Sequence, residues 1–202
     1  MKRISVFLMG AACLLAGCSQ ADRFTVQGNL EAIGCDSETD TVTLYSPALS
    51  APLSAAVKDG TFTLKGTVEK PETARIRGNG RRGRIGVEFV LEPGTITLKE
   101  HHAEGTPLND AYVAFDTKIK ELNRNLRINP EETRSSITKE VEEYVKAHAG
   151  DPTAKIALRM NQRRIDRKTF RELVNEFVPD LKDERRPRGR RAPGQEGQES
   201  DE

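Results

Sequence analysis

The sequence predicts an antiparallel β-sandwich, followed by a small α-helical segment of about four helices and a disordered charged tail. Three observations support this fold class. From Phe24 to Lys99, apolar and polar residues alternate with the period of two that is typical of half-buried strands. After Pro107, apolar residues recur every three or four positions, as in packed helices. From residue 182 onward there is too little apolar surface to offset the entropy cost of ordering the chain. The predicted boundaries are 24–106 for the sandwich, 107–181 for the helices and 182–202 for the tail.

Individual strands are indicated by alternation and by the turns between them. Ile85 to Leu91 is the strongest alternating run, and Glu92-Pro93-Gly94 turns it into a strand that holds Ile96 and Leu98. Lys58-Asp59-Gly60 is a tight-turn signal, because Gly adopts positive φ at no steric cost. We expect that turn to close a hairpin between the apolar runs on either side of it.

Four helices are predicted from apolar stripes and from residues typical of helix starts. The first follows Pro107 and carries apolar positions as far as Leu126. Asn129-Pro130 and Asp151-Pro152 each combine an N-cap residue with Pro at the first helical position. Asp166 is predicted to cap the fourth helix.

The N-terminus carries the pattern of a bacterial lipoprotein signal. A short basic start precedes the apolar run Ile4–Leu15, which would make a helix about 18 Å long, too short for a bilayer core of about 30 Å. The residues Leu15-Ala16-Gly17-Cys18 look like a lipobox. We therefore predict that residues 1–17 are removed, that Cys18 carries fatty acyl chains such as palmitate, and that residues 18–23 form a tether. An ordinary signal peptide that happens to contain a Cys is the alternative.

Composition narrows the classes of function. The 32 Lys and Arg residues nearly balance the 31 Asp and Glu residues, so the chain lacks the concentrated basic field of a nucleic-acid-binding protein. A mean hydropathy of -0.61 excludes a polytopic membrane protein. Once Cys13 leaves with the signal and Cys18 carries lipid, Cys35 has no partner for an internal disulfide or a C-x-x-C redox pair. Cys35 is predicted to be a small, mostly buried residue, with pairing to another protein as the alternative.

One Arg-rich loop is the candidate binding site. Gly78 to Gly83 matches the pattern G-x-G-x-x-G, but the residues that follow alternate as a strand, whereas a dinucleotide site requires a helix there. The loop region still gathers five arginines that could bind a phosphate or carboxylate group: Arg75, Arg77, Arg81, Arg82 and Arg84. A solvated loop without a ligand is the alternative.

No other pattern indicates chemistry. His101 and His102 are adjacent, and neighbours on a strand point to opposite faces, so we expect no shared metal ion. The sequence contains no G-x-S-x-G or H-E-x-x-H motif and no Cys beside a candidate base. We therefore predict no catalytic residue, no metal and no cofactor. Arginines of the tail could touch anionic lipid headgroups, with a solvated tail as the alternative.

Several short motifs together resemble a known family. They are Phe24-Thr-Val-Gln-Gly28, the run from Val57 to Gly66, Phe89-Val-Leu-Glu-Pro-Gly94 and Gly105-Thr-Pro-Leu-Asn109. In this order they resemble the N-terminal β-domain of unknown function in envelope lipoproteins of Bacteroidota, over about residues 24–181. In that family the domain commonly precedes a helical segment and a thioredoxin-like domain of thiol–disulfide oxidoreductases. No W-C-x-x-C follows in this sequence, so we do not expect the family's redox activity.

These observations predict a non-catalytic lipoprotein of the bacterial cell envelope. Its N-terminal lipid would anchor it to a membrane, facing the periplasm, where it would act as a binding or scaffolding module for an envelope partner. The alternative is an accessory subunit of a periplasmic thiol–disulfide system, which would present a client to a separate thioredoxin-like protein. A truncated remnant with little function is a third possibility.

Overall fold

The computed structural model describes residues 22–79, 86–125 and 127–184. These residues form eight strands followed by helices, which confirms the predicted fold class. The predicted signal peptide, Cys18, Leu126 and the tail from residue 185 onward lie outside the described residues. The strands are β1 (Arg23–Asn29), β2 (Thr41–Tyr45), β3 (Leu53–Ala56), β4 (Thr61–Thr67), β5 (Glu72–Gly78), β6 (Val87–Leu91), β7 (Gly94–Lys99) and β8 (His102–Glu104). The helices are α1 (Pro107–Arg124), α2 (Pro130–Ala147), α3 (Pro152–Asn161), α4 (Arg167–Glu176) and α5 (Leu181–Glu184).

The strands form a sandwich of two four-stranded sheets, with strand orders β4-β1-β7-β8 and β3-β2-β5-β6. Alternate residues of each strand point between the sheets, as face-to-face packing requires. Buried side chains from both sheets make one hydrophobic cluster, in which Phe24, Leu44 and Phe89 are almost fully buried. The apolar positions of the alternating pattern therefore face the core, and the polar positions face solvent.

The turn at Lys58–Gly60 was predicted to close a hairpin, and this part of the prediction is wrong. The turn itself is present, since Asp59 and Gly60 both have positive φ (49 and 72) and Lys58 pairs with Thr61. However, β3 pairs with β2 in one sheet, whereas β4 pairs with β1 in the other. The turn therefore carries the chain from one sheet to the other. A turn signal specifies a chain reversal, but it does not specify whether the flanking strands share a ladder.

One strand pair departs from the antiparallel arrangement. β1 and β7 run parallel, with Phe24 beside Gly94 and Val26 beside Ile96. Residues 92–93 make this possible, because they carry the chain from β6 to β7 in the opposite sheet. Alternation of apolar residues does not encode strand direction, so this pairing could not be predicted from the pattern.

The helices build a second core beside the sandwich, to which α1, α2, α3 and α4 all contribute buried apolar side chains. Only one of the three predicted capping side chains caps its helix. Asp166 accepts the backbone N–H groups of Lys168 and Thr169, whereas Asn129 and Asp151 make no such bond. None of the helices in the described ranges is both long enough and apolar enough to cross a membrane. Helix α5 runs into the predicted tail, so helical structure continues to Glu184.

A buried Asn joins the first helix to the edge of the sandwich. Asn109 lies in the first turn of α1 and is 2% exposed. Its Oδ1 accepts the backbone N–H of Val90 at 2.9 Å, and its Nδ2 donates to the Val90 carbonyl at 2.8 Å. Because β6 is the outer strand of its sheet, Asn109 provides the two hydrogen bonds that a further strand would provide.

A buried carboxylate completes this junction. Glu92 is 5% exposed, and its Oε1 accepts the backbone N–H groups of Leu108 at 3.0 Å and of Asn109 at 3.1 Å. N–H groups in the first turn of a helix have no partner within the helix, and the helix dipole favours a negative charge there. Thr106 contributes its Oγ1, which accepts from Asn109 Nδ2 at 2.8 Å. The turn after β6 and the start of α1 are thus joined by one hydrogen-bond network.

We predict that Asn109→Ala lowers the free energy of unfolding by about 2–3 kcal/mol, because two backbone groups of Val90 lose their side-chain partner at a buried site. Urea denaturation measures the change. Thr117→Ala is the matched control, since Thr117 is exposed on the same helix, and we expect a change within about 0.5 kcal/mol. An equal loss in the two variants would contradict the role given to Asn109.

Candidate functional site: the cleft at Arg75, Glu88 and Arg159

An ion-pair cluster lies on the outer face of the second sheet, where the helices meet it. Arg75 of β5 stands directly opposite Glu88 of β6, and its Nη2 lies 4.0 Å from Glu88 Oε2. Helix α3 brings Arg159 from the other side, and the Arg159 Nη2 donates to Glu88 Oε1. One carboxylate therefore lies between two guanidinium groups.

The surroundings of α3 explain why Arg159 turns toward the sheet. Most of this short helix is buried, including Ile156 and Leu158. A charge carried by such a helix is costly unless it has a partner of opposite charge. The side chains of Glu88 and Arg159 are 12% and 25% exposed, whereas that of Arg75 is 41% exposed. Glu88 and Arg159 thus form the inner pair of the cluster, and Arg75 is its outer, solvent-facing member.

A cleft of about 690 Å³ opens beside this cluster. Thr73, Arg75 and Glu88 lie on its sheet side, and the loop of residues 46–52 lines the other side. Ser46 holds the loop in place, because its hydroxyl donates to the Thr73 carbonyl at 2.9 Å. The loop contributes uncharged residues to the lining: Ser46, Pro47, Leu49, Ser50, Ala51 and Pro52. The cleft therefore combines a mainly apolar wall with the guanidinium groups of Arg75 and Arg159.

A partly buried phenol, that of Tyr112, lies close to the same cluster. Burial raises the pKa of Tyr112 well above its ordinary value, and the negative charges of Asp116 and Glu88 raise it further, against a smaller opposing effect of Arg164. Tyr112 therefore stays protonated at neutral pH and can act as a hydrogen-bond donor but not as a base.

The structure describes two of the five arginines that were predicted to bind an anion. Arg75 faces Glu88, so part of its charge is already balanced within the protein. Arg77 is exposed two residues further along the same face of β5. Arg81, Arg82 and Arg84 lie outside the described residues, so the cluster of five stays a prediction.

His101 lies near Cys35, since its backbone N–H donates to the Ala32 carbonyl and its ring lies beside Gly34, whereas His148 belongs to the helical segment. Cys35 is half-buried, and burial raises the pKa of its thiol, which makes it a poor nucleophile at neutral pH. His101 lies in the turn between β7 and β8, His102 begins β8, and His148 follows the end of α2. Within the described residues, no group of three His, Cys, Asp or Glu side chains is arranged to hold a metal ion.

Glu88 and Arg159 were not singled out from the sequence. The pattern marks Glu88 only as a polar, outward-facing position of a strand, and nothing in that pattern shows that a helix covers it. A weak signal existed for Arg159, because the residues before it are apolar on nearly every side of the helix and a charge there needs a partner. The identity of that partner, 71 residues away, depends on how the helices dock on the sheet.

We predict that Glu88 and Arg159 stabilise the fold through each other. Glu88→Gln and Arg159→Met should each lower the free energy of unfolding by about 1–3 kcal/mol, because each removes the attraction between two opposite charges that are poorly solvated. The double variant should lose less than the sum, with a coupling energy of about 1–2 kcal/mol in urea denaturation.

A second double-mutant cycle provides the control for this prediction. Lys168 and Glu172 form an exposed pair on α4, 3.8 Å apart. The cycle of Lys168→Met and Glu172→Gln should give a coupling energy below about 0.5 kcal/mol. If the two cycles give equal couplings, Glu88 and Arg159 are an ordinary surface pair.

Comparison with known proteins gives a match for the sandwich part of the chain. No curated protein and no solved structure matched the sequence. A family model, however, matches a part of the chain that begins in β1 and ends within α1. The match includes all eight strands described above and the junction at Asn109. Residues 24–112 match the family model described as Domain of unknown function (DUF4369).

Proposed function

We propose that this protein is a non-catalytic binding module of a bacterial cell envelope, anchored to a membrane by lipid on Cys18 and facing the periplasm. The cleft at Arg75 would hold a carboxylate-bearing ligand. The main support for this proposal is that the Arg75 guanidinium group is exposed and makes no hydrogen bond to Glu88. Its 4.0 Å separation from Glu88 is longer than a hydrogen bond, so Glu88 does not take up the N–H donors of Arg75.

The chemistry of the cleft favours a carboxylate attached to a small apolar group. A guanidinium group has five N–H donors in a planar fork that matches a carboxylate with two parallel hydrogen bonds. Glu88 keeps the cluster from accumulating positive charge, so a single negative group would be sufficient to balance it. The wall formed by Pro47, Leu49 and Pro52 offers apolar contacts to the remainder of such a ligand. The C-terminus of a peptide with small side chains has both features.

Two pKa shifts make one thiol and one phenol poor candidates for a catalytic role. Burial raises the pKa of Cys35 and of Tyr112, so neither group ionises readily at neutral pH. A nucleophile or a general base requires the opposite tuning.

An NMR titration with a matched pair of probes tests the cleft. N-acetyl-alanyl-alanine should shift the amide signals of residues 45–46, 48–51 and 73–75 in the labelled protein in detergent micelles. The same peptide with a C-terminal amide should bind about tenfold more weakly, since a charge-assisted hydrogen bond contributes about 1.5–3 kcal/mol.

Two variants locate the effect in this titration. Arg75→Gln should abolish the shifts, and Arg171→Gln should leave them unchanged, because Arg171 is exposed on α4. Equal binding of the acid and the amide, or full binding by Arg75→Gln, would show that the cleft does not recognise a carboxylate.

A second candidate function is that of an accessory subunit of a thiol–disulfide system. It is favoured by the match of residues 24–112 together with the resemblance to lipoproteins that continue into a thioredoxin-like domain. In-cell photo-crosslinking from position 45, with exposed Ile128 as the control position, separates the two functions. Capture of a thioredoxin-like protein from position 45 alone would favour the accessory subunit. Capture of only structural or glycan-handling envelope proteins would favour the binding module.

A further inference from the structure

We propose that one end of the sandwich rests on the membrane, with the uncharged loop 46–52 in the headgroup interface. This end, the anchor end, comprises the start of β1, the end of β4 and the loop 46–52. The inference rests on the proposed lipid anchor at Cys18. It adds an interaction surface that the anchor alone does not imply, because a tethered domain could also lie on its side.

The anchored segment meets the fold at the start of β1. The Asp22 carbonyl accepts the backbone N–H of Val68 at 2.8 Å, which fixes the start of β1 beside the end of β4. Cys18 precedes Asp22 by four residues in the sequence, so the tether reaches at most about 14 Å. A seven-residue strand such as β1 is about 23 Å long. The tether is therefore shorter than the sandwich, and it holds the anchor end near the bilayer.

Strand directions place the loop 46–52 at this same end. β4 ends there because Thr67 pairs with Arg23, and β5 begins there after the short connection of residues 68–71. β2 runs antiparallel to β5, so it ends there at Tyr45. A surface cleft of about 780 Å³ is lined jointly by the loop, by Phe24 and by residues 65–67 and 69–72, which confirms that they are neighbours. The turns at 58–60 and 100–101 lie at the opposite end.

The chemistry of the loop fits a lipid headgroup interface. It contains no charged residue, and Pro47, Ala48, Ala51 and Pro52 are exposed. Tyr45, which precedes the loop, is 45% exposed. Tyr is enriched at membrane–water interfaces because its ring is apolar and its hydroxyl is polar. An uncharged loop can also approach the headgroups without the cost of removing water from a charge.

Charged side chains at the anchor end are mixed rather than of one sign. Arg23, Lys65 and Lys70 are exposed there beside Asp22 and Glu69. The basic residues can contact lipid phosphates, at about 1 kcal/mol each near an anionic surface, and the acidic residues limit the net attraction. The contact is thus set by the tether and the loop rather than by net charge. The cleft at Arg75 shares this loop as a wall, so its ligand would be bound close to the membrane surface.

Site-specific fluorescence in vesicles tests the orientation. The full lipoprotein carrying Cys35→Ser is given one new cysteine, Ala48→Cys or Ala51→Cys in the loop or Asp59→Cys at the opposite end, and is labelled with an environment-sensitive fluorophore. It is reconstituted in vesicles of phosphatidylethanolamine and phosphatidylglycerol with a headgroup nitroxide lipid as quencher. We expect about threefold stronger quenching and a blue-shifted emission for the loop labels, because interfacial segments lie within about 5–10 Å of the headgroup boundary.

Separate measurements distinguish a failure of the proposed anchor from a failure of the proposed orientation. Intact mass spectrometry and flotation of the Cys18→Ala variant report on the anchor. An unlipidated protein that still floats after Cys18→Ala would overturn both the anchor and the orientation. A lipidated protein whose label at position 59 is quenched as strongly as the labels at 48 and 51 would overturn the orientation alone. Two loop positions are used so that a local distortion at one of them does not decide the result.

Discussion

The hydrogen-bond network around Asn109 is the interaction on which the rest of the structure depends. It covers the outer strand of one sheet, satisfies the first N–H groups of α1, and does both with side chains that are almost completely buried. Because α1 is fixed in this way, the helices that pack on it are placed against the outer face of the same sheet. α3 contacts both β5 and β6, and it carries Arg159 to Glu88. The candidate binding cleft is thus a consequence of how the helical segment is attached.

The outer strands are arranged differently on the two sides of the sandwich. On one side, the outer strands β6 and β8 lie close together and are both contacted by α1. On the other side, the outer strands β3 and β4 are connected through the turn at Asp59–Gly60, which changes sheet instead of forming a hairpin. An unpaired strand edge can recruit another chain. Asn109 satisfies the backbone groups of Val90 near the end of β6, where a foreign strand could otherwise pair.

The sequence allowed the elements to be predicted but not the way in which they are connected in space. Alternation identified the buried face of each strand, because burial is what the pattern records. It did not identify the parallel pairing of β1 with β7, since Phe24 and Val26 would be buried in either direction. The helix starts were also predictable, because Pro130 and Pro152 suit a first helical turn whether or not the preceding side chain caps it. The Glu88–Arg159 pair was not predictable, because it arises only when the two cores come together.

A family match can likewise identify the elements of a fold without identifying its functional surface. Two of the motifs that carry the resemblance, Phe89–Gly94 and Gly105–Asn109, supply Glu92, Thr106 and Asn109 to the junction. In this structure these residues attach the first helix to the sandwich. That role is a sufficient physical reason for their residue types. Arg159, by contrast, lies outside the matched residues 24–112, although it shapes the cleft. A protein could therefore share the sandwich and its junction while presenting a different surface where α3 meets the sheet. The family match covers the sandwich and its junction with α1, whereas the helical segment brings Arg159 to the candidate binding cleft.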